Sequence, residues 1–250
     1  MKISIITATF NSGQTVRDTI ESVLRQTYTD FEYIIKDGGS KDDTLEIVKE
    51  YAPQFGDRLK VVSEPDKGIY DAMNIGLSMA TGDVVGFLNS DDFYSDYMRL
   101  EEIAKAFKMN PKIDAITANT RDVTPDLSKT VRYTRSAYYR RWMTHLGYVP
   151  SHPSFYVKRA CYEKWGVFNT AYKIAADTEL MARFFYLHQL VYKYVNMEIV
   201  TMRVGGTSMQ SRRTNTEEIY RALKNLGIYT NKLLLLLRYV LKIPELINLK

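Results

Sequence analysis

The chain is predicted to be an α/β protein with a mainly parallel central sheet flanked by helices, and three observations carry the prediction. Apolar, β-branched runs at 3–9, 31–36, 59–63 and 83–88 alternate with helix-period segments at 15–26, 43–51 and 70–80, the rhythm of repeated strand–helix units. Each run stops at a polar turn: Thr7-Ala8-Thr9-Phe10-Asn11-Ser12, Asp37-Gly38-Gly39-Ser40, Glu64-Pro65-Asp66-Lys67-Gly68 and Asn89-Ser90-Asp91-Asp92. In parallel strands these turns share one sheet edge, where open α/β sheets bind ligands. A length of 250 residues with 45% hydrophobic side chains supplies one substantial core.

Taken in order, Met1-Lys2-Ile3-Ser4-Ile5-Ile6-Thr7 reads as a strand from the start, too short and too polar for a signal peptide's apolar stretch. The first helix carries Val16, Ile20, Val23 and Leu24 on one face, and the third carries Ala72, Met73, Ile75, Gly76 and Met79, so both pack on the sheet. After Leu88 the rhythm changes. A helix at 98–108, a strand at 115–118 and a polar, tyrosine-rich stretch through Tyr139 precede a helical segment at 175–188. A strand at 191–204 then runs to Gly205-Gly206, and 217–241 reads as one long helix.

Cys161 is the only cysteine, which excludes an internal disulfide and fits a reducing, cytoplasmic setting. The formal charge of +5 is uneven, because from Arg203 onward nine lysines and arginines face only Glu217, Glu218 and Glu245. The leucines interleaved with them favour lipid over nucleic acid, and no nucleic-acid signature is visible. The leucine run at 233–237 is too short to span a bilayer. The segment 228–249 therefore reads either as a helix lying on the inner face of the cell membrane or as one docked on the protein or in a homodimer interface.

The turn after the fourth run sets two carboxylates and two neutral oxygens, Asn89-Ser90-Asp91-Asp92, behind a buried-strand pattern. Mg²⁺ or Mn²⁺ takes one or two carboxylates plus phosphate oxygens, so the turn is suited to hold a metal across a diphosphate, with Asp91 the first choice of ligand. The competing reading is that Ser90, Asp91 or Asp92 caps the next helix. Asp37-Gly38-Gly39-Ser40 and Ser40-Lys41-Asp42-Asp43 are equally open to turn and capping chemistry. The phosphate-binding Gly-x-x-x-x-Gly-Lys and dinucleotide Gly-x-Gly-x-x-Gly patterns are absent.

The ordered set of motifs resembles the family 2 glycosyltransferases of GT-A, Rossmann-like fold over about residues 1–210. It comprises Thr9-Phe10-Asn11, Asp37-Gly38-Gly39-Ser40 with Asp42 to Thr44, Lys67-Gly68-Ile69-Tyr70-Asp71-Ala72-Met73-Asn74 and Asn89-Ser90-Asp91-Asp92. His152-Pro153-Ser154-Phe155, Trp165-Gly166-Val167-Phe168 and Ala175-Ala176-Asp177-Thr178-Glu179-Leu180 continue it. The resemblance implies a donor-binding half at 1–92, an acceptor half at 93–210 and a basic amphipathic helical tail at 211–250. It implies inverting transfer from a nucleotide-diphosphate sugar, a UDP-sugar first with GDP- and dTDP-sugars as alternatives, to a sugar or lipid-linked sugar hydroxyl in bacterial surface polysaccharide assembly.

Carried over by the resemblance, Thr7, Thr9 and Asp37 contact the nucleoside, Lys67 and Asn74 line the donor pocket, and Ser90 and Asp91 lie near ribose and metal. Asp91 matches the family's metal-binding carboxylate, whereas Asn89 stands where the usual Asp-x-Asp has its first aspartate, and Asp92 is the candidate to compensate. Asp177 matches the base that removes the acceptor's proton, a role suited to a carboxylate facing an oxocarbenium-like transition state. Glu179 is a rival base on a different helix face. His152 reads as a metal or acceptor contact or a structural group, and Gly205-Gly206-Thr207-Ser208 as an active-site loop or a strand exit. The other reading is a non-catalytic nucleotide-sugar binding or interaction protein of the same fold.

Overall fold

The computed structural model describes residues 1–205, 212–243 and 245. Strand β1 (Ile3–Thr9) leads to α1 (Val16–Leu24), β2 (Phe31–Asp37), α2 (Thr44–Phe55), β3 (Leu59–Ser63), α3 (Ile69–Met79) and β4 (Val84–Phe87). The second half adds β5 (Phe93–Tyr94), α4 (Arg99–Met109), β6 (Ala115–Val123), β7 (Thr130–Thr134), β8 (Tyr156–Lys158), α5 (Arg159–Trp165), α6 (Ala176–Ala182) and β9 (Tyr192–Arg203). The described chain closes with α7 (Arg212–Asn225) and α8 (Lys232–Leu241).

Among the described residues the strands form one sheet in the order β3-β2-β1-β4-β8-β6-β9-β5, with β7 pairing with the later part of β6, beyond β8. β1 is its axis. All seven of its residues are buried, paired in parallel with β2 from Ile3↔Phe31 to Thr9↔Asp37 and with β4 from Ile3↔Val84 to Ile6↔Phe87. The β-branched runs read in the sequence thus form the parallel half, and their turns share an edge. β8 enters antiparallel to both β4 and β6, and β6 and β9 then pair in parallel again.

Helices cover both faces. Val16, Ile20, Val48, Ile103 and Phe107 pack on one side, while Met73, Leu77, Tyr162, Leu180 and Phe184 pack on the other. A side chain at Gly86 in β4 would place its Cβ 2.1 Å from the Tyr156 ring, so the β4–β8 contact depends on its absence.

Several elements differ from the sequence expectation. β7 lies inside the polar, tyrosine-rich stretch, where all five of its residues are only half-buried and the apolar signal is weak. The short strands β5 and β8 and helix α5 were also not evident. The expected single helix over 217–241 is two helices, because Gly227 adopts φ +70°. There the Ile228 amide donates to the Leu223 carbonyl at 2.9 Å and the Gly227 amide to Lys224 at 3.0 Å, the paired bonds that end a helix on a left-handed glycine.

The tail packs on α6 and on the loop that carries His145. Ile219, Leu223, Ile228 and Leu235 form a buried cluster with Ala175 and Ala182, and the Thr230 hydroxyl donates to the His145 carbonyl at 2.7 Å. The outer side of α8 is bare, with Leu233 70%, Leu236 55% and Val240 57% exposed. Gly206, Thr207 and Ser208 of the expected active-site loop lie outside the described residues.

Leu235→Ala is expected to destabilise the whole protein by about 2–5 kcal/mol, the usual cost of emptying a buried leucine site. Leu236→Ala is expected to change stability by less than about 0.5 kcal/mol. Urea denaturation of the two variants checks this, and equal midpoints would show that α8 does not dock.

Candidate active site

The parallel strand ends are tied to one another before any ligand enters. The fully buried Asp37 carboxylate accepts the Gly39 and Ser40 amides at 2.9 and 3.0 Å, the Ser63 hydroxyl at 2.7 Å and the Ser40 hydroxyl. Burial alone would raise its pKa, but these hydrogen bonds outweigh burial and hold it below the ordinary aspartate value. Lys36, equally buried, donates from Nζ to the Asp37 and Glu64 carbonyls at 2.7 Å each and to Asp66 Oδ2 at 3.2 Å. Asn11 joins the first turn to the second, its amide donating to Ser40 Oγ at 2.8 Å and its side-chain oxygen accepting the Lys41 amide at 2.9 Å. Asp37 is thus the organiser of its own loop.

Of the other nucleoside-contact candidates, Thr7 is buried and donates to the Leu88 carbonyl at 2.7 Å, which fixes β1 against the acidic turn. The Thr9 hydroxyl is buried without a hydrogen-bond partner among the described residues. Ser90 Oγ pairs with Ser12 Oγ at 2.8 Å, joining the first and fourth turns.

Within the acidic turn the two carboxylates part company. Asp92 is 1% exposed and accepts Asn89 Nδ2 at 2.9 Å and the Arg203 amide at 3.2 Å. Burial, reinforced by Asp91, pushes its pKa well above the ordinary value. The side chain therefore locks the turn to β9, and the structure does not bring it out beside Asp91. Asn89 spends its amide on Asp92, where an aspartate would set a second negative charge against a buried carboxylate.

Asp91 is half-buried, and no side chain among the described residues donates to its carboxylate. Burial raises its pKa, partly offset by its own amide and by Arg203. Arg203 holds the Asp91 carbonyl from Nη1 at 2.6 Å and also pairs with Asp18. No group of three or more His, Cys, Asp or Glu side chains among the described residues could cage a metal. A lone, under-compensated carboxylate at this edge fits a hard cation that takes its remaining ligands from diphosphate and water. Asp91 would hold it.

Asp177 opens the N-terminal turn of α6. Its Oδ1 accepts the Thr178 amide at 2.6 Å and the Tyr70 hydroxyl at 3.3 Å, and Tyr70 also donates to the Ile174 carbonyl at 2.6 Å. α6 has no side-chain cap of its own. Glu218 of α7 instead braces the turn that leads into α6, accepting the amides of Lys173, Ile174 and Ala175 at 3.1, 2.8 and 3.0 Å. The rival Glu179 is 5% exposed and ion-paired with Arg183 at 3.1 Å. Asp177 alone of the two faces a cavity of about 570 Å³, together with His152, Tyr148, Met202 and Val204. His152 stacks on Phe87 with ring centroids 5.4 Å apart. Burial lowers its pKa, with Asp177 opposing, which leaves a neutral ring whose Nε2 has no partner among the described residues.

Lys67 is exposed on the rim, its amide bonded to Asp71 at 2.9 Å. Asn74 is placed differently from the expectation of a pocket-lining side chain. Its amide group clasps the backbone of Phe168, donating to O at 2.9 Å and accepting from N at 3.0 Å, so it joins α3 to the loop after α5. Three residues that position the site were not singled out in the sequence: Tyr70, Arg203 and Glu218. Tyr70 lay within a quoted motif and Arg203 just before the Gly205-Gly206 exit, whereas nothing near Glu218 marks its distant partners.

A sequence model of glycosyl transferase family 2 matches residues 4–166, more than half of the chain, and the chain belongs to that family. The PGL/p-HBAD biosynthesis glycosyltransferase of Mycobacterium bovis is 29% identical over 213 residues, 82% of this chain and 78% of that protein. An uncharacterized glycosyltransferase of Nostoc sp. is 35% identical over 108 residues, 43% of this chain and 33% of its own. Residues 1–349 of S. aureus TarS in complex with UDP-GlcNAc superpose with a TM-score of 0.72 at 22% identity, covering 90% of this chain and 65% of that one. The mannosyltransferase PcManGT of Pyrobaculum calidifontis, in complex with GDP-Man and Mn²⁺, gives 0.67 at 17% identity, covering 90% and 63%. These likenesses show the GT-A glycosyltransferase fold, and the chain spans less than two thirds of either solved chain.

Asp37→Asn is expected to lower stability at pH 7. Because the folded pKa is depressed, the carboxylate's contribution is complete above its unfolded value of about 3.9 and disappears as pH falls through the folded value. Urea midpoints of wild type and variant should therefore diverge at pH 7 and converge near the acid limit of folding. A gap independent of pH would contradict the network.

Proposed function

We propose that the chain is an inverting glycosyltransferase that moves a sugar from a nucleotide-diphosphate sugar to an acceptor hydroxyl, in the assembly of a bacterial surface polysaccharide. One observation carries the reading. The cavity that Asp177 faces is walled by Met202 and Val204, and Arg203 between them grips the Asp91 carbonyl. A proton acceptor and a diphosphate-edge carboxylate are thereby fixed on either side of one strand end. In this reading Asp177, aimed by Tyr70 and the Thr178 amide, takes the hydroxyl proton as the acceptor oxygen attacks the anomeric carbon opposite the leaving nucleoside diphosphate. A divalent metal at Asp91 supplies charge neutralisation for that leaving group. The TarS complex with UDP-GlcNAc supports a UDP-sugar as first candidate, and the PcManGT complex keeps GDP-sugars in view.

No helix among the described residues is long and apolar enough to cross a membrane. The bare Leu236 of α8 shares a surface groove with exposed Arg213 and Lys232, an apolar side chain among cations that suits an anionic lipid surface. We place the chain peripherally at the inner face of the membrane on that basis.

A donor panel of UDP-, GDP- and dTDP-sugars with Mg²⁺ or Mn²⁺ tests the chemistry through nucleoside diphosphate release. One donor is expected to be turned over, with loss on chelation and in Asp91→Ala. Asp177→Asn is expected to keep donor binding and lose transfer about a hundredfold or more, the usual share of a general base. Turnover equal to wild type would remove Asp177 from the mechanism, and donor binding without any release would mark a binding protein. For the lipid contact, flotation with vesicles containing an anionic lipid should fall in the Leu236→Ser/Val240→Ser double variant. Equal flotation of variant and wild type defeats the membrane placement.

A further inference from the structure

The cavity that receives Asp177 has a second wall, and its chemistry is cationic. Arg132 of β7, Arg238 of α8 and Lys242 just beyond α8 all line it, with Asp122 and Glu245 as their acidic neighbours. Arg132 is neutralised by Asp122 at 2.6 Å and sits 4.0 Å from Glu245. Glu245 is itself only 3% exposed and accepts the Tyr148 hydroxyl at 3.0 Å. Arg238 is 4% exposed and has no carboxylate partner among the described ion pairs. Its Nη2 donates to the neutral Thr216 and Tyr239 hydroxyls at 2.8 and 3.1 Å. Its Nη1 is buried without a hydrogen-bond partner among the described residues.

A buried guanidinium with an unused N–H is costly unless a partner supplies both an acceptor atom and negative charge. The neighbours do not supply it. Burial, opposed by Arg132, pushes the Asp122 carboxyl up, and burial, opposed by Lys242 and Arg132, does the same for Glu245. Lys242 is pushed down by burial and then by Arg132 and Arg238, with Glu245 opposing. Three cations, Arg132, Arg238 and Lys242, face the two carboxylates Asp122 and Glu245, so positive charge is in surplus on this wall. A neutral sugar hydroxyl would satisfy the free N–H and leave that surplus, whereas an anionic oxygen group removes both deficits.

We propose that this wall is a subsite for an anionic group on the acceptor, a phosphate ester or a carboxylate, read by Arg238 and Lys242. The inference rests on the reading that the Asp177 cavity receives the acceptor, and it gives the C-terminal segment a share in choosing it.

The test is calorimetry on the full chain saturated with UDP and Mg²⁺, so that the donor site is filled. Phenyl phosphate, methyl glucuronide and, as a neutral control, methyl glucoside are titrated. At least one anion is expected to bind ten or more times tighter than the glucoside, and which one binds tells a phosphorylated acceptor from an acidic sugar. Arg238→Met and Lys242→Gln should each remove most of that preference while UDP affinity stays within about twofold. Arg238→Lys, which keeps the charge, should retain part of it. If Arg238→Met does not fold, Lys242→Gln carries the comparison alone. Equal binding of anion and glucoside, or a preference untouched by the folded variants, overturns the subsite. Asp177-dependent turnover in the same preparation separates that failure from failure of the transferase reading.

Discussion

The parallel register of β1 between β2 and β4 is the constraint on which the rest depends. Because Ile3 pairs with both Phe31 and Val84, the Thr9, Asp37 and Leu88 ends emerge together, and loops of unrelated sequence become neighbours. Their mutual hydrogen bonds, through Asp37, Lys36, Asn11 and the Ser12–Ser90 pair, are then short-range consequences of strand order. Had β4 been displaced by one position, the acidic turn would have lost the Thr7 hydroxyl that fastens it.

The second half of the site is assembled differently. Asp177 lies on a helix of seven residues without a side-chain cap, and its approach is set from outside by Tyr70, Asn74 and Glu218. Two of these come from α3, which packs on β1 and β2, and one from α7. The Asp177 carboxylate is therefore positioned by segments about a hundred residues before it and about forty after it. Such placement leaves the intervening chain free to vary while keeping the carboxylate where the parallel edge needs it.

The parallel half was legible because its strands are β-branched, fully buried runs of four to seven residues broken by glycine and aspartate turns. Three of the family motifs, at Thr9, Asp37 and Asn89, were legible for the same reason, since each is a turn at a strand end. What the residues could not declare was direction. Asp91 and Asp92 are adjacent in sequence, yet only the fold turns one toward the edge and the other toward Arg203. Asn74 likewise sat in a motif attributed to the donor, and its amide serves a backbone clasp 94 residues away. The two-helix tail was hidden by a continuous amphipathic pattern, in which Gly227 was the one local sign of a break.

The Glu218 contact bears on how this fold can be recombined. A carboxylate that accepts three consecutive amides reads backbone and not side chains, so the 173–175 segment can change in sequence without losing its support. The reverse is not true, because the support itself is a single side chain on a separate helix. The segment that carries Asp177 and helix α7 are therefore coupled through Glu218. A chimera that exchanges the segment carrying Asp177 between relatives has to carry α7 along, or the grafted carboxylate arrives without the residue that braces the turn before it.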